Sequence, residues 1–310
     1  MRIVLLILTY FFLISAGCGN QKGYKENPGF YKKNFELGYS INQPDTVLYL
    51  DRALSEISGL SYNENKSCLV TINDEDAFVF YLSPTSGRII DKVDFGKPDD
   101  YEAITCHGDY IYISESNGNI KVVNDNEGEK INEYNTDLDG GNDIEGMVYN
   151  AETKSFLLAA KGDSEIDDNE KGEKSVFEMK LDDDDSEIKK YFSLDLMKAV
   201  DKLESMNITQ NTLVNLSVTS RLRRFSPSAM AIHPKTNDLY ILSFKGRLLV
   251  VTDNEGNIKA ITFLNQKFFP QPEGICFGPD LKLYVSSEGR SKNGTINIYS
   301  PIDSLVSDAQ

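Results

Sequence analysis

An acidic or hydroxyl residue recurs along the chain and could bind a cation or exchange a proton. The separations between successive copies are 44, 43, 83 and 45 residues. A small residue and then an apolar residue follow each copy. Carboxylates that a fold brings together repel one another, so they are expected to hold a cation or a proton, or to pair with Lys or Arg. The recurring residues are Ser58, Glu102, Glu145, Ser228 and Glu273.

The three recurring glutamates are candidate metal ligands. Oxygen ligands without histidine favour Ca²⁺ or Mg²⁺, and a loose cavity favours Ca²⁺. The chain has only two His and four Cys, which argues against a zinc site. The sequence therefore predicts a calcium site formed by Glu102, Glu145 and Glu273. The alternative is that these side chains hydrogen-bond backbone amides of neighbouring repeats.

A second set of candidate residues consists of polar residues that follow the β-rich run of a repeat and of nearby basic residues, which stand out in this acidic chain. If these residues face the same end as the glutamates, they form a site of mixed charge for a ligand beside the metal. Structural ion pairs are the alternative. With the hydroxyls of Ser58 and Ser228, the predicted ligand-binding residues are Asn73, Glu115, Lys161, Arg224, Lys245 and Arg290.

The repeat itself predicts the elements that position these residues. Each unit of 43 to 45 residues contains short runs rich in β-branched and aromatic residues. Two units share the turn sequence Asp-Asn-Glu-Gly, at residues 125–128 and 253–256. Four short strands per unit of this length are typical of a β-propeller blade. We therefore predict an all-β propeller of five four-stranded blades, closed by an N-terminal strand at residues 45–50.

The 83-residue gap admits two interpretations, an enlarged third blade or a sixth blade. An acidic stretch that includes Asp182–Asp185 suggests an exposed turn. Residues 193–206 have helical spacing, with Ser193 as a possible N-cap. A helix does not form a blade, so we favour five blades and an acidic and helical insertion at about 163–222.

The first residues resemble a bacterial lipoprotein leader. One Arg, an apolar run and Ser15-Ala16-Gly17-Cys18 indicate a signal peptide over residues 1–17, cleaved before a lipidated Cys18. A polar tether that makes little contact with the ring is predicted over 18–44, the propeller over 45–302 and a tail over 303–310. The expected location is the bacterial cell envelope, in the periplasm or at the cell surface, where the lipid anchor would hold the protein at the membrane. The other expected partner is an unknown ligand or envelope protein. A net charge of −16 argues against nucleic acid as a partner, and we expect a monomer.

The repeat starts resemble the SdiA-regulated protein family over about residues 45–300. The resemblance lies in motifs such as Asp143-Ile144-Glu145-Gly146 and Gln271-Pro272-Glu273-Gly274. That family is similar to the NHL and gluconolactonase-type propellers, some of which hold calcium at the axial mouth and hydrolyse lactones or phosphoesters. The resemblance implies an envelope β-propeller and carries over no catalytic residue set.

Two functions remain open from the sequence. The first is an envelope lipoprotein that binds a ligand or a protein partner at its central channel, with a divalent cation. The alternative is a calcium-dependent hydrolase of a lactone, ester or phosphoester at the same mouth. The hydrolase requires Asn73, Glu115 or His107 within hydrogen-bond reach of a metal-bound water.

Overall fold

The computed structural model describes residues 29–32, 35–162, 173–182, 185–198 and 216–306. In chain order the strands are β1 Gly29–Tyr31, β2 Thr46–Tyr49, β3 Ile57–Asn63, β4 Cys68–Asn73, β5 Phe78–Leu82, β6 Ile89–Asp94, β7 Tyr101–His107, β8 Tyr110–Glu115, β9 Ile120–Asn124, β10 Lys130–Tyr134, β11 Ile144–Asn150, β12 Ser155–Ala160, β13 Lys174–Asp182, β14 Asp185–Leu194, β15 Pro227–Ile232, β16 Leu239–Ser243, β17 Leu248–Thr252, β18 Ile258–Phe263, β19 Pro272–Phe277, β20 Leu283–Ser287 and β21 Thr295–Tyr299. The described residues also form a 3₁₀ turn, Arg52–Leu54, and the helices α1 Leu216–Arg223 and α2 Asp303–Val306.

These strands form five antiparallel sheets arranged as the blades of a β-propeller. The sheets have the orders β3-β4-β5-β6, β7-β8-β9-β10, β11-β12-β13-β14, β15-β16-β17-β18 and β19-β20-β21-β2. The first strands of neighbouring blades contact one another in a closed cycle, so they surround the central axis. The predicted all-β, five-bladed propeller is confirmed.

The ring is closed by the N-terminal strand that the sequence predicts. Strand β2 pairs with β21, with Thr46 opposite Ile298 and Tyr49 opposite Thr295. This pairing completes the fifth blade and covers the sheet edge of β21 that would otherwise be open. Apolar side chains between adjacent blades form the core, for example Leu60, Cys276 and Tyr284 between the first and fifth blades.

The segment before β2 contacts the ring more than the tether prediction allows. Strand β1 pairs with β18 and adds a fifth strand to the fourth blade. Phe30, Leu37, Tyr39 and Ile41 are buried in the core. The prediction of low contact is therefore wrong for residues 29–32 and 35–44, because spaced apolar side chains in this polar segment pack on the fourth and fifth blades.

The third blade takes its two outer strands from within the predicted insertion. Strands β13 and β14 pair along their length and flank the acidic run, since β13 ends at Asp182 and β14 begins at Asp185. The insertion therefore does not run unbroken over 163–222. Ser193 lies in β14 and is not a helix cap. Instead, the Asp195 carboxylate accepts hydrogen bonds from the amides of Met197 and Lys198, and residues 199–206 of the predicted helix lie outside the described residues.

Within the part of the chain that the structure describes, no helix combines the length and apolar character needed to cross a membrane. The predicted signal peptide and Cys18 lie outside the described residues.

A buried histidine serves as a turn residue at the end of an innermost strand. Nδ1 of His233 accepts hydrogen bonds from two backbone amides of the next turn, at 3.2 and 3.1 Å. Asn63 and Asn150 accept from turn amides at the corresponding points of two other blades. The hydrogen-bond pattern leaves the proton on Nε2, which lies 3.1 Å from the Tyr39 hydroxyl. Burial lowers the pKa of His233 to about 4.

This environment predicts a loss of stability in acid. Between about pH 6.5 and pH 4 the unfolded chain binds a proton at His233 that the folded protein excludes, so the free energy of unfolding falls as the pH falls. The expected contribution is about 2–3 kcal/mol over this window. Chemical denaturation at a series of pH values measures it.

The matched variant is His233→Asn, which keeps an acceptor for the turn amides and removes the titration. It should be less stable than the wild type at pH 7, because a ring is lost from the core, but its stability should fall less steeply below pH 6.5. If the free energy of unfolding falls equally steeply with pH in the two proteins, the lowered pKa of His233 is contradicted.

Candidate functional site: an acidic mouth on the propeller axis

The recurring residues lie second in the innermost strands and therefore gather at one end of the axis. In four blades this position is a β-bulge. In the second blade, for example, Tyr101 pairs with Glu115 and Ala103 with Ser114, so that Glu102 has no residue opposite it. Glu145, Ser228 and Glu273 occupy the same bulged position. Because a bulge re-aims a side chain relative to the pleat, the same local feature positions each of them.

Three carboxylates converge at this mouth. One oxygen from each of Glu102, Asp143 and Glu145 lies within 4.8 Å of the others. Oxygen ligands on opposite sides of a calcium ion are about 4.6–5.2 Å apart, given Ca–O distances of 2.3–2.6 Å. The spacing of this donor set therefore fits a single calcium ion. Asp143 directly precedes β11 and adopts a left-handed backbone with φ 51°.

Glu273 brings a further carboxylate to the same cluster. Its side chain is only 7% exposed. Among the described residues it has no hydrogen-bond or ion-pair partner. Burial, followed by repulsion from Glu145, Glu288 and Glu102, raises the pKa of Glu273 well above its ordinary value. Placing a largely buried carboxylate close to other carboxylates is costly, so this residue indicates that the mouth accommodates a cation or a proton.

The other two glutamates are also shifted towards the protonated form. Burial and then the carboxylate of Glu145 raise the pKa of Glu102 to about 9. Burial raises the pKa of Glu145 to about 7, although its pairing with Lys161 opposes the shift. Near neutral pH the cluster therefore holds protons that a cation would displace.

Lys161 supplies a positive charge within the cluster. Its ammonium contacts Oε1 of Glu145 and lies 3.6 Å from Oδ2 of Asp143. Burial alone would lower the pKa of Lys161, but these carboxylates raise it above its ordinary value. One ammonium faces four carboxylates, counting Glu102 and Glu273, so the charge of the cluster is not balanced when all four are ionised.

The fifth and first blades add further acidic groups to this end of the propeller. Burial and repulsion from neighbouring carboxylates raise the pKa of Asp74 to about 6 and that of Glu288 to about 7. Oδ1 of Asp74 is buried without a hydrogen-bond partner. Arg290 is exposed, donates to the Gln271 side chain at 3.3 Å and lies 5.4 Å from the ring centre of Phe244.

The remaining predicted site residues have other surroundings. Ser58 and Ser228 donate to backbone carbonyls of the next blade, those of Glu102 at 3.0 Å and Pro272 at 2.7 Å. These two hydroxyls join neighbouring blades, although Ser58 also lies 3.4 Å from Oε2 of Glu102. The side chains of Arg224 and Lys245 are exposed.

Asn73 and Glu115 are held by local partners. Nδ2 of Asn73 donates to the Asp76 carboxylate, and Oδ1 of Asn73 accepts from the backbone amide of Asp76. Glu115 forms a buried ion pair with Lys121, which also donates to the Tyr101 hydroxyl. His107, at the far end of β7, stacks on Tyr149 with ring centres 3.6 Å apart.

Sequence reasoning missed Asp143 as a member of the cluster, although a signal was present. The pattern Asp-x-Glu occurs at the start of two innermost strands, at residues 100–102 and 143–145. An acidic residue two positions before a recurring glutamate can reach the same mouth, because the chain enters the strand there. No spacing rule, in contrast, indicates that Lys161 turns toward Glu145.

The match to a family model agrees with the fold and with the repeat starts. The SdiA-regulated model matches residues 40–290. The chain belongs to the SdiA-regulated family. This match spans most of the chain, including all five innermost strands. No curated protein matches the chain in a sequence comparison.

Solved structures with the same fold have very different sequences. Myxococcus xanthus glutaminyl cyclase superimposes with a TM-score of 0.53 at 9% identity, over 84% of this chain and 97% of that one. Virginiamycin B lyase from Staphylococcus aureus gives a TM-score of 0.47 at 13% identity, over 82% of this chain and 87% of that one. At 9% identity the similarity to glutaminyl cyclase is one of fold alone.

The raised pKa values predict that the cation-free protein loses stability as the pH rises. Between about pH 5 and pH 9 the folded protein retains protons on Glu102, Glu145 and Glu273 that the unfolded chain has lost, so the contribution of these three groups to the free energy of unfolding falls as the pH rises. Glu273→Gln mimics the protonated form. The variant should match the wild type near pH 5 and be more stable than the wild type at pH 9, because only the wild type then carries the buried charge.

Urea denaturation with a chelator present tests this expectation. The control is Glu129→Gln, an exposed glutamate in the turn before β10. The difference between Glu273→Gln and the wild type should grow with pH, whereas that of the control should not. A difference that is constant from pH 5 to pH 9 would contradict the predicted protonation.

Proposed function

We propose that the protein is a binding protein of the bacterial envelope whose propeller takes a divalent cation, Ca²⁺, at its acidic mouth and there binds a ligand or partner. The observation that carries the proposal is the convergence of the Glu102, Asp143 and Glu145 carboxylates, whose oxygens lie within 4.8 Å of one another, with the largely buried Glu273 next to them. Carboxylate oxygens are the ligands that Ca²⁺ prefers. The cation would be held by Glu102, Asp143, Glu145 and Glu273.

The leader pattern supports the envelope part of the proposal. A lipidated Cys18 would anchor the chain at a membrane, and residues 19–28 can extend at most about 35 Å to β1. Gly29 pairs with Thr262 near the end of β18. Because β15 starts at the acidic mouth and strands alternate in direction, β18 ends on that side. The anchor would therefore reach the propeller on the side of the acidic mouth.

The geometry gives less support to the hydrolase alternative. The residues that would activate a metal-bound water are Asn73, Glu115 and His107. The first two are bound to Asp76 and Lys121. His107 and Glu102 lie at opposite ends of β7, about 17 Å apart along the strand. We therefore favour binding over hydrolysis.

Calcium should stabilise the folded protein. A ligand at a hundred times its Kd adds about 2.7 kcal/mol to the free energy of unfolding, which corresponds to a rise in Tm of about 4–5 °C for a protein of this size. The double variant Glu102→Gln, Glu145→Gln should lose most of this shift. Differential scanning calorimetry with chelator and with CaCl₂ gives the comparison, and metal analysis of the purified protein accompanies it.

The matched control is the double variant Glu127→Gln, Glu129→Gln, which removes two exposed carboxylates from the turn between β9 and β10. It should retain the calcium shift of the wild type. If calcium changes the Tm of neither wild type nor control and no metal copurifies, the proposal is wrong and the carboxylates serve the fold alone.

A further inference from the structure

Lys161 already occupies part of the site that a bound cation would need. Its ammonium contacts Glu145 and lies 3.6 Å from Asp143, two of the three carboxylates that converge at the mouth. A cation that is coordinated by carboxylate oxygens of both residues must displace this ammonium. We infer that Lys161 is an internal competitor that sets the affinity and the charge preference of the acidic mouth. The inference rests on the proposed cation binding.

The backbone of Lys161 is held by hydrogen bonds, so only its side chain has to move when a cation replaces the ammonium. The amide donates to the carbonyl of Asp143 at 2.8 Å. The carbonyl accepts from the ammonium of Lys174 and lies 3.5 Å from the hydroxyl of Ser226. The side chain is 28% exposed and has a flexible four-carbon stem. It can therefore turn out of the mouth while the blade keeps its structure.

The exchange of charges favours divalent over monovalent ions. When Na⁺ or K⁺ replaces the ammonium, the charge of the cluster is unchanged and the ion pair with Glu145 is lost. When Ca²⁺ replaces it, the cluster gains one positive charge. Glu102 and Glu273 have no ammonium of their own, so when they bind an ion as carboxylates, only the divalent ion improves the balance of charge. Lys161 thus acts against the monovalent ions that would otherwise enter an acidic mouth.

Isothermal titration with CaCl₂ compares the wild type with Lys161→Met and Lys161→Gln. Without the ammonium, Ca²⁺ no longer breaks a charged hydrogen bond, so its affinity should rise about ten- to a hundredfold. Raising the NaCl concentration should weaken calcium binding more in the variants than in the wild type, since Na⁺ can then enter. If Lys161→Met does not fold, Lys161→Gln carries the test, because its amide can still donate to Glu145.

The control is Lys282→Gln, which removes the same charge from the turn between β19 and β20, where Lys282 pairs with Asp280. This turn lies at the opposite end of β19 from Glu273. The control should bind Ca²⁺ as the wild type does. Calcium affinity that is unchanged or weaker in both Lys161 variants overturns the inference, as does a gain of equal size in the control.

Failure of this inference can be distinguished from failure of the proposed function. If the wild type binds Ca²⁺ and the Lys161 variants bind it no more tightly, Lys161 is not a competitor and the cation site stands. If neither wild type nor variants bind Ca²⁺, the proposed function fails and the inference fails with it. If only the variants bind, the competitor role is supported and the wild-type site is closed to calcium under those conditions.

Discussion

The propeller keeps several carboxylates close together on its axis, and among the described residues only the ammonium of Lys161 is paired with them. Glu145 pairs with Lys161, Glu102 receives a serine hydroxyl, and Glu273 receives no donor among the described residues. Removing charges from water and placing like charges together both cost free energy. The site relieves this cost by holding protons, by holding Lys161 or by holding a cation. The proposed binding function and the role of Lys161 both follow from this competition.

The rest of the fold holds these carboxylates in place against their repulsion. Each lies at the start of an innermost strand, and the innermost strands contact one another around a closed ring. The bulge at Glu102, Glu145 and Glu273 recurs because the blades repeat the same register shift. Hydrogen bonds from Ser58 and Ser228 to the next blade tie neighbouring strands together. The carboxylates therefore cannot relax apart without disturbing several blades, which is the preorganisation that ion binding requires.

The fold could be predicted from the sequence because it repeats. A period of 43 to 45 residues indicated blades of four short strands. The last repeat has only three strands, which indicated that an N-terminal strand, β2, completes its blade. Features that do not repeat were missed or misplaced. Strands β13 and β14 flank an acidic run that favours an exposed turn, and Phe30 and Tyr39 pack on the ring from a segment whose overall composition is polar.

The site was predictable in part, for the same reason. Glu102, Glu145 and Glu273 occupy the same position in their repeats, so the repeat spacing predicts that they lie at one mouth of the propeller. Asp143 could have been included from the Asp-x-Glu pattern. The pairing of Lys161 with Glu145 and that of Glu115 with Lys121 depend on side-chain directions within a blade, about which repeat spacing says nothing.

The most direct test is anomalous diffraction from crystals of the protein grown with CaCl₂ and then soaked in terbium, which replaces calcium and scatters strongly. The account predicts one strong peak on the axis, bounded by Glu102, Asp143, Glu145 and Glu273, with the Lys161 side chain turned out of the mouth. A mouth without anomalous density, in which Lys161 stays paired with Glu145 at saturating metal, would contradict it.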